Sequence, residues 1–147
     1  MADHTVVGHQ IVTGIEFPWP RIPEIVRWHH ERADGSGYPD SLMMQDVPIE
    51  VRVVGLADTF DAMMSERPYR ESMTLGSTLS EIVRMTPQKF DPNVVQALLV
   101  QVRRDSVGSN RVAFLEDRAA LNIAPTDVDH LAATLQHKMS NGRLYLT

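Results

Sequence analysis

The chain of 147 residues contains no cysteine. That removes disulfides, thiolate zinc sites and a thiol nucleophile at once, so any metal must be held by imidazole and carboxylate. An uninterrupted apolar run of the roughly 18 residues that a membrane helix needs is also missing. The first residues do not follow the basic, apolar, small-residue order of a signal peptide. A cytoplasmic protein with no membrane partner is expected. Period-two alternation bounded by turn residues is nearly absent, which argues against a sheet. Nor is there a basic excess: 14 Lys and Arg stand against 19 Asp and Glu, a formal charge of −5. Such a balance is unsuited to coating a nucleic acid polymer.

What remains is 43% apolar and 22% charged, the balance of a soluble globular protein of about one domain. Apolar positions recur at helical spacing, so the fold class expected is all-α. The spacing predicts helices over Thr5 to Thr13, Pro23 to Glu31, Pro48 to Ser65, Thr78 to Met85 and Pro92 to Arg104. Two weaker ones follow, near Phe114 to Leu121 and Thr126 to Met139. Pro23, Pro48, Pro92 and Pro125 each mark a start, because the first turn does not need the missing amide and the ring presets φ. Phe17-Pro18-Trp19-Pro20 reads as a rigid connector, with Trp19 and Trp28 covering the core beside it. Asp34-Gly35-Ser36-Gly37-Tyr38-Pro39-Asp40 reads as a shaped loop between helices. Residues 105 to 110 read as a linker and the residues from Ser140 onward as a loose tail.

Three clusters carry chemistry. His29 and His30 stand together at the end of a predicted helix. Neighbouring side chains on a helix diverge by about 100°, so the pair suits two adjacent ions, or an ion and a substrate, better than one small ion. Two solvated histidines favoured by the helix dipole are the ordinary alternative. Asp58 and Asp61 lie one turn apart on the next helix, and Asp58 shares a stretch with Val54, Ala57 and Ala62. A carboxylate there would be costly to desolvate without a cation, although the polar side of an amphipathic helix accounts for both residues as well. Arg67 and Arg70 flank Pro68 and could clamp a phosphate, or pair with Glu66 or Glu71. Together these features suggest metal-assisted hydrolysis of a phosphoester. His9, His130 and His137 lack partnering carboxylates, and the methionines read as packing.

The run His29-His30-Glu31-Arg32-Ala33-Asp34-Gly35-Ser36-Gly37-Tyr38-Pro39 resembles the HHExxDGxGYP motif of HD-GYP domains, an all-helical subgroup of the HD phosphohydrolase superfamily. The resemblance continues through Ala57-Asp58-Thr59-Phe60-Asp61-Ala62, Arg67-Pro68-Tyr69-Arg70 and Phe90-Asp91-Pro92. It implies a partial HD-GYP bundle over residues 1–104, followed by a helical extension over 105–147. It also implies a metal-dependent phosphodiesterase that hydrolyses cyclic di-GMP to pGpG or GMP, using two or three ions, commonly iron or manganese. Carried over by position, His4, His29, His30 and Asp58 resemble metal ligands, and His29, His30 and Asp58 the catalytic set. Tyr38, Asp61, Arg67 and Arg70 resemble substrate contacts, and Asp34, Gly35, Gly37 and Pro39 shape the loop.

One departure bears on activity. No histidine in the sequence is followed by aspartate, whereas the family carries a His-Asp dyad upstream. Four ligands could hold one ion but are not expected to position two, so weak or absent turnover is expected of this chain by itself. The alternative is a non-catalytic module that binds cyclic di-GMP or a protein, such as a diguanylate cyclase or a sensory or regulatory domain. Without preceding helices, Val6, Ile11, Ile25 and Val54 are expected to form an exposed apolar patch, which a partner or a homo-oligomer would cover.

Overall fold

A computed structural model describes residues 3–66, 69, 71–107 and 123–142. The chain is all-α: among the described residues six helices run in the order α1 (Asp3–Val12), α2 (Ile22–Trp28), α3 (Ile49–Met64), α4 (Leu75–Met85), α5 (Pro92–Val107) and α6 (Pro125–Gly142), with a single 3-10 turn at Met44–Asp46. Among the described residues there is no strand, only an isolated bridge between Asp34 and Met43.

Proline sets most of the starts. Pro23 sits in the first turn of α2 and Pro48 caps α3, while Pro92 and Pro125 open α5 and α6. Helix α4 begins three residues before the predicted Thr78. Thr74 caps it, its hydroxyl accepting the amide of Ser77 at 3.2 Å, and this satisfies one of the orphan donors of the first turn. At the other end, α2 stops at Trp28 rather than Glu31. Helix α5 runs on through Val107, into the predicted linker, and α6 through the first residues of the predicted tail. The helix expected near Phe114 to Leu121 lies outside the described residues.

The core is built by the last four helices. Leu56 and Phe60 of α3, Leu79 and Ile82 of α4, Val95 and Leu99 of α5, and Val128 and Leu135 of α6 are buried together. Leu75, Leu79 and Ile82 repeat at helical spacing, which gives α4 one continuous apolar face. Helix α6 packs on α4 and α5. Helices α1 and α2 form a flank: α1 lies on α2, and α2 on α3. No residue of α2 is fully buried. Its placement therefore depends more on loop contacts than on apolar area.

Part of the expected apolar patch is present, differently drawn. Ile11 and Val54 are exposed, whereas Val6 and Ile25 are half-buried. Val7 and Ile11 of α1, with Ile15 just beyond its end, make the exposed stripe instead. A groove of about 700 Å³ between α3 and α5 is lined by Ile49, Val53, Phe60, Val94 and Leu98. Trp19, expected over the core, is 74% exposed.

Candidate metal centre

The end of α2 explains how two adjacent histidines can face one point. His29 caps the helix, its amide reaching Ile25 O, with φ −61° and ψ −13°, and the amide of Glu31 then closes a turn onto Trp28 O at 2.8 Å. His30 is thus outside the helix, and the divergence of neighbouring helical side chains no longer applies. The two rings lie 4.2 Å apart between centroids. From α1, His4 brings its Nε2 to 3.1 Å from Nε2 of His30. One nitrogen from each of His4, His29 and His30 lies within 4.8 Å of the others. The pair need not serve two ions: together with His4, both rings offer a nitrogen to one point.

The donor set fits a divalent transition metal. Nδ1 of His29 lies 3.1 Å from the Ile25 carbonyl and 3.0 Å from that of Val26. Carbonyls only accept, so this nitrogen carries the proton and Nε2 is left with its lone pair toward the cluster. Burial, and next the neighbouring His29, push the pKa of His30 down to about 4, so this ring is neutral at pH 7 and available as a donor. Imidazole nitrogens suit iron, zinc, copper and nickel more than the hard alkaline-earth ions.

Asp58 approaches from α3. Its Oδ2 lies 3.9 Å from Nδ1 of His30, too far for a hydrogen bond, and it is not one of the three clustered ligands. Its side chain is 49% exposed. Asp58 is therefore not the desolvated carboxylate expected to demand a cation, since Val54 and Ala57 beside it are exposed as well. Asp61 faces elsewhere: it lines the α3–α5 groove and accepts the Ser65 hydroxyl at 3.4 Å. Arg67 and Arg70 lie outside the described residues. Tyr38 borders the histidines, its ring 4.8 Å from that of His30 and 6.4 Å from that of His4.

The loop carrying Tyr38 is held by carboxylates. Asp34 accepts from the amide and hydroxyl of Ser36 and from Lys89 Nζ at 2.9 Å. These bonds, that of Ser36 foremost, hold its carboxyl down to about 2. Gly35 takes φ +73°, open to glycine without strain. A Cβ on Gly37 would run into the backbone of His30, Glu31 and Arg32. Asp40 reaches back to α2, accepting from Arg27 Nε and Trp28 Nε1, each at 2.6 Å.

A family model for the HD domain matches residues 1–94. The chain belongs to the HD domain family. Over 100 residues, 67% of this chain, it is 39% identical to the cyclic di-GMP phosphodiesterase response regulator RpfG of Xanthomonas campestris pv. campestris, of which the match covers 26%. It is 40% identical over 100 residues, again 67% of this chain, to a cyclic di-GMP phosphodiesterase of Thermotoga maritima, covering 27% of that protein. A 3'3'-cGAMP-specific phosphodiesterase 2 of Vibrio cholerae is 40% identical over 76 residues, 52% of this chain and 15% of the relative. The matched stretch thus spans about a quarter of the length of the first two. These relatives agree with the HD-GYP resemblance of the His29 to Pro39 run.

Several residues that shape this HD domain's site carried no assigned role in the sequence reading. Glu31, Asp40 and Lys89 anchor the loop, and Arg32 lies over Phe90, 5.5 Å from the ring centroid. Glu31 stands inside the quoted motif, so its position was visible though its function was not. Lys89 pairs with a residue 55 positions earlier, for which no local signal exists. Among the described residues, no helix is long and apolar enough to cross a membrane.

Proposed function

We propose that this chain contributes the three-histidine side of a divalent metal centre, iron or manganese, in a phosphodiesterase that hydrolyses cyclic di-GMP to pGpG or GMP. The observation that carries this reading is the convergence of His4, His29 and His30 on one point, beside the aromatic ring of Tyr38. A bound ion would supply Lewis-acid polarisation of a phosphoryl oxygen and an activated water. His29 is oriented for that ion by the carbonyls of Ile25 and Val26. Asp58 stands at the edge as a further ligand or as an orienting group for His30. Tyr38 offers a ring face and hydroxyl to a guanine or phosphate, and Asp61, Arg67 and Arg70 are assigned to substrate contact through the resemblance. The loop residues Asp34, Gly35, Gly37 and Pro39 keep a structural role. Residues 1–104 are assigned to the catalytic-type domain and 105–147 to an extension.

A second reading rests on the same wall of the centre, where Tyr38 presents its ring beside His30. In it, the chain binds cyclic di-GMP or a signalling protein, such as a diguanylate cyclase or a regulatory domain, without turnover. One experiment separates the two. Purified protein is loaded with Mn2+ or Fe2+, the ion is counted by mass spectrometry, and cyclic di-GMP and 3'3'-cGAMP are incubated in parallel with chromatographic detection of linear product. About one ion per chain, with affinity lowered at least tenfold in His29→Ala, is expected. Product supports the enzyme, and calorimetric binding of cyclic di-GMP without product supports the module. Failure of the wild-type protein to take up either metal refutes the metal-centre reading.

A further inference from the structure

Glu31 follows His30 directly and is only 7% exposed, yet it lies outside the three-histidine cluster. Both of its oxygens accept from backbone: Oε1 from the amide of Asp40 at 2.7 Å and Oε2 from that of Leu42 at 3.0 Å. Hydrogen bonds to an ionised acceptor are among the stronger ones, and a buried amide left without a partner is costly. These two bonds close a ring. The end of α2 leads through His29, His30 and Glu31 to the amide of Asp40, whose carboxylate returns to Arg27 and Trp28 of α2. Tyr38 sits within that ring. Its own direct tie to the histidines is a long amide contact to His30 O at 3.4 Å, so its ring position depends on the span from Gly37 to Leu42.

We infer that Glu31 is a positioning residue: by holding the amides of Asp40 and Leu42 it seats the loop so that Tyr38 stands beside His30, and it thereby sets the ligand-facing wall of the centre. This rests on the function proposed above, since Tyr38 is taken to meet the nucleotide. Glu31 touches neither ion nor ligand. Its removal therefore separates two affinities that a generally damaged fold would lower together. In Glu31→Gln, one acceptor oxygen becomes an NH2 group facing an N–H, so one of the two anchors is lost while His29 keeps its carbonyl supports on α2.

The chain has two tryptophans, so Trp19→Phe leaves Trp28 as the single emitter, reporting on its bond to Asp40. In that background Glu31→Gln is expected to red-shift Trp28 emission and to weaken cyclic di-GMP binding by roughly tenfold, the effect of losing about one well-placed contact. Mn2+ affinity is expected to stay at the parent value. Unchanged emission and unchanged nucleotide affinity would overturn the inference. So would equal losses of metal and nucleotide affinity, because Glu31 would then be merely structural. Hydrogen exchange on the wild-type protein keeps the test open should the variant fail to fold. The amides of Asp40 and Leu42 must be protected well beyond unfolded-chain rates, and free exchange at both refutes the anchor. A wild-type protein that binds no cyclic di-GMP defeats the proposed function instead, and the emission and exchange measurements still decide the role of Glu31.

Discussion

Asp91 offers a sharp test of how the helices beneath the site are tied together. It precedes α5, its carbonyl accepting the amide of Val95 at 3.1 Å and its side chain that of Asn93 at 2.8 Å, which makes it the helix cap. The same carboxylate accepts from Arg52 Nη1 at 2.9 Å; the aspartate side chain is 4% exposed and that of the arginine 25%. Arg52 also donates through Nε to Val47 O at 2.7 Å, so one guanidinium joins the entry of α3 to the start of α5. Breaking a buried pair from one side costs about 3–5 kcal/mol, and water reaching the partly exposed arginine lowers that figure. The lost cap adds about 1 kcal/mol. Asp91→Ala is therefore expected to cost about 3 kcal/mol. At about 2.1 cal/mol/K per residue, a chain of 147 residues would lose roughly 10 °C in Tm. Asp91→Asn keeps a cap acceptor and a neutral bond to Arg52, and is expected to cost about 1 kcal/mol, roughly 3 °C. Urea unfolding of the three proteins, with slopes compared so that only midpoints are read, gives both differences. An alanine variant within about 0.5 kcal/mol of wild type would refute the tie. An asparagine variant as damaged as the alanine one would show that the charge alone matters and the cap does not.

In the metal-free protein the His30 ring is expected to titrate near pH 4, read from its carbon-bound proton shifts by NMR. The unfolded chain binds that proton at about 6.5. This group therefore erodes stability as pH falls from about 6.5 toward 4 and contributes nothing above that window. A midpoint at or above 6 would show that the ring is not desolvated as described. Lys138 of α6 donates to the carbonyls of Val83, Arg84 and Thr86 at 2.8, 2.9 and 3.0 Å, a cation capping the end of α4. Lys138→Met keeps the apolar stem and is expected to lower stability by about 1–2 kcal/mol in urea melts; equal or greater stability of the variant would mean that water satisfies those carbonyls as well.

How far the structure was legible divides along a physical line. Signals that act within one turn were readable: Pro92 and Pro125 fix φ and discard a donor that the first turn does not use, and they open helices where expected. The start of α4 was also encoded locally, in Thr74 and Ser77, but a hydroxyl cap three residues ahead of the strongest apolar pattern is easily passed over. Ends set by tertiary contact were not readable. Nothing in Trp28-His29-His30-Glu31 marks the helix as stopping, because the competing structure is stabilised by Glu31 bonding amides nine and eleven residues away. That stop allows His29 and His30 to converge, so three residues at one boundary decide whether the two rings diverge as on a helix or face one point.

The charged residues show the same division. Asp58, singled out because its neighbours are apolar, proved half exposed, since apolar neighbours on a helix predict burial only when another helix covers that face, and Val53 and Val54 remain open to solvent. Glu31, Asp91 and Lys138 were given no role although each is more constrained. Their partners are backbone groups or residues 39 to 55 positions distant, and a carboxylate satisfied by amides leaves no complementary charge in the sequence to betray it. In this chain the candidate ligands announce themselves by residue type, whereas the groups that tie the elements around them are ordinary in type and distinctive only in where the fold puts their partners. A search for the supporting residues of such a centre should therefore begin from buried carboxylates bonded to backbone amides beside the ligands, rather than from charge pairs.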